Sequence, residues 1–163
     1  MKEVEELIDK LFETDCYVVD YLPQRVSKKM HERYSELEDY FLTHYLDKFS
    51  KDIAEIVLKL LAYFPAEIYV GQYPEKYNGQ DINKYPFGKN LVDLPFEKIA
   101  KLIQKSIRKG HLSTIVLFRQ ENSMLSISSQ FSVYFYNPSK KFLTLTKTLA
   151  QSRGVFVWKA GNK

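Results

Sequence analysis

The stretch LSISSQFSVYF, residues 125–135, constrains the fold more than any other in this chain. Leu125, Ile127, Phe131, Val133 and Phe135 take the odd positions; Ser126, Ser128, Gln130, Ser132 and Tyr134 take the even ones. Successive side chains of a strand point to opposite faces. A period of two held this long therefore predicts one long strand, buried on one face and wet or polar-capped on the other. Just upstream, STIVLFRQ (113–120) is apolar on both faces, as an interior strand is. A turn near ENS (121–123) makes the two a hairpin. A sheet with one buried face needs helices to cover it.

The rest of the chain supplies them. Val4, Leu7, Ile8, Leu11 and Phe12 fall on one helical face, with Glu3, Glu5, Glu6 and Asp9 outside. CYVVDYLP (16–23) reads as a strand closed by Pro23. SKKMHER (27–33) is either a loop or an early helical turn. Ser35 lies three residues before Glu38, the capping-box spacing, and predicts a helix opening there with Leu37, Phe41 and Tyr45 inside. Ser50 reads as a second N-cap. It opens a helix whose Ile53, Ile56, Val57, Leu60, Leu61 and Phe64 form a broad stripe at the centre of the core, ended by Pro65. EIYVGQ (67–72) is a short strand. In FEKIAKLIQKSIRKG (96–110), Phe96, Ile99, Leu102, Ile103 and Ile107 face inward, Pro95 sits in the first turn and Gly110 caps the end.

FLTLTKT (142–148) alone would pass for a strand, but its borders favour a helix: Asn137 as cap, Pro138 at the first helical position, Gly154 as stop. Phe142, Leu145, Leu149 and Ala150 then share the inner side. VFVWK (155–159) is the closing strand, with Trp158 a core anchor, and the end of the chain is a strand–helix–strand unit of crossover size. The 163 residues, 45% apolar and 27% charged, suit one core. The expectation is a single α+β domain over 1–163, with a mixed or antiparallel sheet of four to five strands. It comprises an acidic helical front half (1–64), an irregular aromatic loop (71–95) and a basic α/β back half (96–163).

Charge is segregated along the chain. Residues 1–50 hold 7 Lys/Arg against 12 Asp/Glu, whereas residues 101–163 hold 11 against the single acid Glu121. Lys98, Lys101, Lys105 and Arg108 form a ridge on one helix, and Lys140, Lys141 and Lys147 a second basic group. Either these surfaces meet an anionic partner, or the acidic front folds against the basic back and the fields cancel. The loop GQYPEKYNGQDINKYPFGKNLVDLP holds three of the six glycines and three of the six prolines. Long irregular loops tend to be functional or mobile. Tyr73, Tyr77, Tyr85 and Phe87 make this one a candidate contact surface, unless the rings tuck back onto the body.

Catalytic grammar is absent: there is no Gly-rich phosphate loop, no G-x-S-x-G and no H-E-x-x-H. His31, His44 and His111 have no metal-ligand spacing. Cys16 with a histidine would be a thiolate pair, but within an apolar strand it reads as a small hydrophobe. Glu38 and Asp39 are adjacent acids whose place near a helix start suits the dipole. No cofactor or metal is expected. One cysteine, no apolar segment at the start and no long apolar run point to the cytoplasm without a membrane contact. The first expectation is a non-enzymatic interaction protein, an adaptor, regulator or immunity-type protein that covers a protein partner. Nucleic-acid binding through the basic half is the alternative, and an enzyme assembled from scattered residues the second alternative. Self-association is compatible with each.

Overall fold

In the computed structural model, which describes residues 2–71, 76–77, 80–81, 88–110 and 112–161, the chain runs through thirteen elements. The first half holds α1 (Lys2–Phe12), β1 (Cys16–Asp20), α2 (His31–His44), α3 (Leu46–Leu61) and β2 (Glu67–Val70). A two-residue pair follows, β3 (Lys76–Tyr77) and β4 (Gln80–Asp81), and then α4 (Phe96–Lys109). The chain closes with β5 (Thr114–Phe118), β6 (Ser123–Ile127), β7 (Val133–Tyr136), α5 (Lys140–Gln151) and β8 (Phe156–Lys159). Six strands form one sheet in the order β2-β5-β6-β7-β1-β8, with every neighbouring pair antiparallel. The protein is a single α+β domain. Among the described residues no helix is long and apolar enough to cross a membrane.

The sixth strand comes from residues 125–135, which are not one strand. They divide at 128–132, where Ser128 N–H donates to Ser132 O at 3.0 Å. Gln130 sits in the left-handed region at φ +61, and its N–H donates to Ile107 O at the end of α4, 2.7 Å away. A bond to a distant helix holds this turn, which is why no Gly or Pro marks it. Ile127 pairs with Val133 and Leu125 with Phe135. Odd therefore pairs with odd, and the alternation survives the turn. The turn near ENS is as expected, with Asn122 left-handed at φ +48.

Alternation divides the sheet into two faces. The inner face presents Ile68, Val116, Phe118, Leu125, Val133 and Phe135 to α3, α4 and α5. β5 is buried along its whole length, as its two-sided apolar pattern predicts. On the outer face, Tyr69, Ile115, Leu117 and Met124 pack against Leu11 of α1, flanked by Val4, Leu7 and Ile8. The even face of β6 and β7 is thus partly capped by a helix, with Ser126 and Tyr134 left half-buried.

Helix borders moved from their expected places. α2 begins at His31, after a short 3-10 turn at Lys28–Met30, so Ser35 and Glu38 lie inside it and cap nothing. α3 begins at Leu46, and the buried Ser50 satisfies its hydroxyl on Asp47 O at 2.8 Å instead of capping. Burying Phe49 requires the helix to start a turn earlier than Ser50 would allow. Phe96 is exposed rather than inward, because it is the first residue of α4 and lies before the face that docks; Pro95 is the N-cap and not within the first turn. α5 is capped by Ser139, whose Oγ accepts from Phe142 N–H at 3.2 Å. Asn137, expected as that cap, is left-handed at φ +49 and donates from its amide to Asn122 O. Gly154, at φ +71, ends the helix as expected, and Val155 N–H closes on Ala150 O at 3.0 Å.

The helical reading of 140–151 holds. Phe142 is fully buried, with ring centroids 4.1 Å from Phe64, 4.7 Å from Phe118 and 4.9 Å from Phe135. β7 and β8 flank β1, each antiparallel to it, so β7–α5–β8 is a parallel crossover over one strand. Trp158 is half-buried rather than a core anchor, since β8 is an edge strand; its Nε1–H donates to Leu22 O at 3.0 Å.

Candidate functional site

The antiparallel order brings the acidic front onto the basic back. Arg108 pairs with Asp47 at 2.8 Å, Arg119 with Glu67 at 2.9 Å, Lys159 with Asp15 at 2.9 Å, and Arg153 with Glu55. Arg119 also reaches Glu3 at 3.4 Å. Arg119 grips Glu67 through both carboxylate oxygens and Tyr69 donates to one of them at 2.7 Å. That hydrogen bonding holds the Glu67 carboxyl below its usual range, while burial and Glu67 push Tyr69 up to about 12.

The expected basic surfaces do not merge. Lys98, Lys101 and Arg108 are exposed along α4 and Lys105 is half-buried, with Lys101 bonded to Glu97 at 2.6 Å. Lys140 and Lys141 open α5 and are exposed; Lys147 is half-buried, its ammonium 6.0 Å from the Tyr17 ring centre. Between the two groups runs α3, which packs on both helices and carries Asp47, Asp52 and Glu55 toward Arg108, Lys48 and Arg153. α3, whose three acids are matched by Lys48, Lys51 and Lys59, thus lies between the two groups of cations.

Of the aromatic-loop candidates, Tyr73, Tyr85 and Phe87 lie outside the described residues, and Tyr77 is placed in β3 opposite Gln80. The described ends are pinned to the β2 edge. Gly71 N–H donates to Ser113 O, Leu91 N–H to Ile68 O, and Asn90 Oδ1 accepts from Ile68 N–H at 2.9 Å. Edge strands are blunted by such coverage.

A site that the sequence reading did not single out lies on α2. Its C-terminal end is anchored: Phe41 stacks on Tyr21 at 4.5 Å, with Tyr45 and Phe131 at 6.1 and 4.4 Å from the same ring. An apolar stripe continues beyond that anchor, from Tyr40 back to Met30 at the N-cap. Met30 is 48% exposed, Leu37 41% and Tyr40 59%, so Leu37 does not face the core. With Val26, Arg33 and Tyr34 they line a groove of about 430 Å³. Glu36 and Asp39 stand exposed on the same helix. No protein-family model, curated protein or solved structure matches the chain. The surface therefore has to be read from its own chemistry. Counting the stripe backward from Leu37 to Tyr34 and Met30, at i−3 and i−7, was the available signal.

Under the anchored end lies a polar seam. Asp20 accepts from Tyr21 N–H at 2.7 Å, yet burial raises its carboxyl, with Glu38 adding to the effect. Burial also raises the Tyr21 and Tyr34 phenols. The Tyr21 hydroxyl is buried without a hydrogen bond of ordinary geometry, although Tyr34 neighbours it. Among the described residues, no cluster of three His, Cys, Asp or Glu converges.

A second concavity, of about 420 Å³, opens between α1 and the outer sheet face, beside Gly71 and Gly88.

Proposed function

We propose that the chain is a non-enzymatic interaction protein that covers a partner protein, and that the exposed stripe running from Met30 at the N-cap of α2 to Tyr40 is its contact. The exposure of Met30, Leu37 and Tyr40 on one stripe carries this reading. Exposed apolar side chains gain from removal from water, and Tyr is prominent among residues that dominate interfaces. Glu36 and Asp39 beside the stripe suit an amphipathic partner helix whose apolar face is bordered by Lys or Arg. One cysteine fits work in a reducing cytoplasm.

Photo-crosslinking from position 40, in the native host, tests this. The expected product is a heterologous adduct that forms with the wild-type stripe and is lost with Leu37→Glu, while the melting temperature stays put. The partner, once purified, should bind the variant at least about tenfold more weakly, since an interface anchor is worth more than 1.4 kcal/mol. A dimer of this chain that Leu37→Glu dissolves would reassign the stripe to self-association. Binding of mixed RNA that weakens steeply with salt, and persists in Leu37→Glu, would favour the nucleic-acid alternative through Lys98, Lys105, Lys140 and Lys141.

A further inference from the structure

We propose that the cavity between α1 and the outer face of the sheet binds a small molecule with an apolar body and an amine head. α1 is fixed over the sheet by Leu11, by the edge contact of Phe12 with Tyr136 at 5.1 Å, and by Arg119 reaching Glu3. It does not cover the whole face. The remaining space of about 420 Å³ falls within the range of small-ligand sites, about 300–1,000 Å³.

Its walls are apolar: Val4, Ile8 and Phe12 from α1, Tyr69 and Ile115 from the sheet. Polar groups converge on it from two sides. The half-buried hydroxyls of Ser113 and Ser126 line it and have no side-chain partner among the described residues. The exposed Glu5 and Asp9, one helical turn apart, line it from α1 on the solvent side, and neither belongs to an ion pair among the described residues. The helix dipole accounts for Glu5 in the first turn but not for Asp9 beyond it. Two like charges four residues apart repel, and a cation between them relieves the repulsion. An apolar slot with hydroxyls inside and paired carboxylates alongside selects a hydrophobic amine over the corresponding acid. The site is separate from α2: its strands β2, β5 and β6 lie at the other end of the sheet from β1 and β8.

The test is a ligand series on the whole chain: tryptamine and phenylethylamine against indole-3-propionate and hydrocinnamate. The amines should raise the melting temperature with concentration and shift the Ile8 and Ile115 methyl resonances, while the acids do neither. Glu5→Gln with Asp9→Asn should weaken the amines about five- to tenfold, the effect of two exposed charge contacts. Ser126→Phe should abolish binding. Equal binding of amines and acids, shifts that map to other residues, or no response to either amine would overturn the proposal. Because Leu37→Glu leaves this cavity intact, loss of the α2 contact and loss of amine binding are separable.

Discussion

Replacing Phe142 tests both the topology and the arithmetic of the core. The side chain is fully buried and meets three other rings at 4.1–4.9 Å. Phe→Ala at such a site costs about 3–5 kcal/mol, through lost transfer energy and an unfilled cavity. In a domain of this length each kcal/mol lowers Tm by about 2–4 °C, so the Tm of Phe142→Ala should fall by about 6–20 °C. Phe142→Leu keeps most of the apolar volume and should lose about 1–2 kcal/mol. The control is Thr144→Lys. On the helix Thr144 is exposed and the change should stay within about 0.5 kcal/mol. In a strand, Thr144 would share the face of Phe142 and the lysine would be ruinous. Urea denaturation followed by the single tryptophan, Trp158, reads all three. A Thr144→Lys loss as large as that of Phe142→Ala would refute the helical assignment and the crossover built on it.

Three further outcomes follow from particular contacts. Gly71→Ala would drive a methyl carbon into Ser113 Oγ and against its Cβ, so it should destabilise by about 1–3 kcal/mol, and adding Ser113→Gly should recover much of the loss. The folded carboxyl of Asp20 binds its proton more tightly than the unfolded one, whose reference lies at 3.8. The native state therefore holds more protons just above that pH, and stability falls as pH rises through the window. Asp20→Asn keeps an oxygen for Tyr21 N–H and should melt higher than wild type at pH 7, with the gap closing below pH 3.8; a constant gap would sink the burial argument. The Arg108–Asp47 pair is exposed on both sides, so a double-mutant cycle on Tm should give coupling within error despite its 2.8 Å contact.

Periodicity made the layers legible: β5, the inner face of α3 and the α4 stripe from Ile99 to Ile107 are where their apolar spacing places them, while on α5 Phe142 and Ala150 are buried with Thr146, and Leu145 and Leu149 are only partly covered. Borders were less so. Ser35 and Ser50 have the chemistry of caps, but cap preference is worth about 1 kcal/mol. Burial of Phe49 and the stacking of Phe41 on Tyr21 favour running the helices through them. The turn at 128–132 was invisible for a different reason. What holds Gln130 left-handed is a carbonyl 23 residues upstream, at Ile107, and no local pattern encodes that bond. The α2 stripe was half legible. Spacing put Leu37 with Phe41 and Tyr45, but only the fold shows that cover ends near Phe41.

The charge asymmetry changes meaning once the strand order is known. A back half with 11 cations and one acid after residue 100 looks like a phosphate-binding surface in one dimension. In three dimensions β1 lies between β7 and β8, and β2 beside β5, so strands from the first seventy residues have back-half strands for neighbours. Arg108, Arg153 and Lys159 are engaged with front-half acids, and Arg119 with Glu67 and Glu3. Exposed pairs of this kind contribute little to stability, yet they remove cations from the outward field. The acids of α2 are placed differently. Glu36 and Asp39 belong to no ion pair among the described residues, and they outnumber Arg33 beside a helix stripe that the fold leaves uncovered. Unspent negative charge next to unspent apolar surface is what a basic amphipathic partner requires.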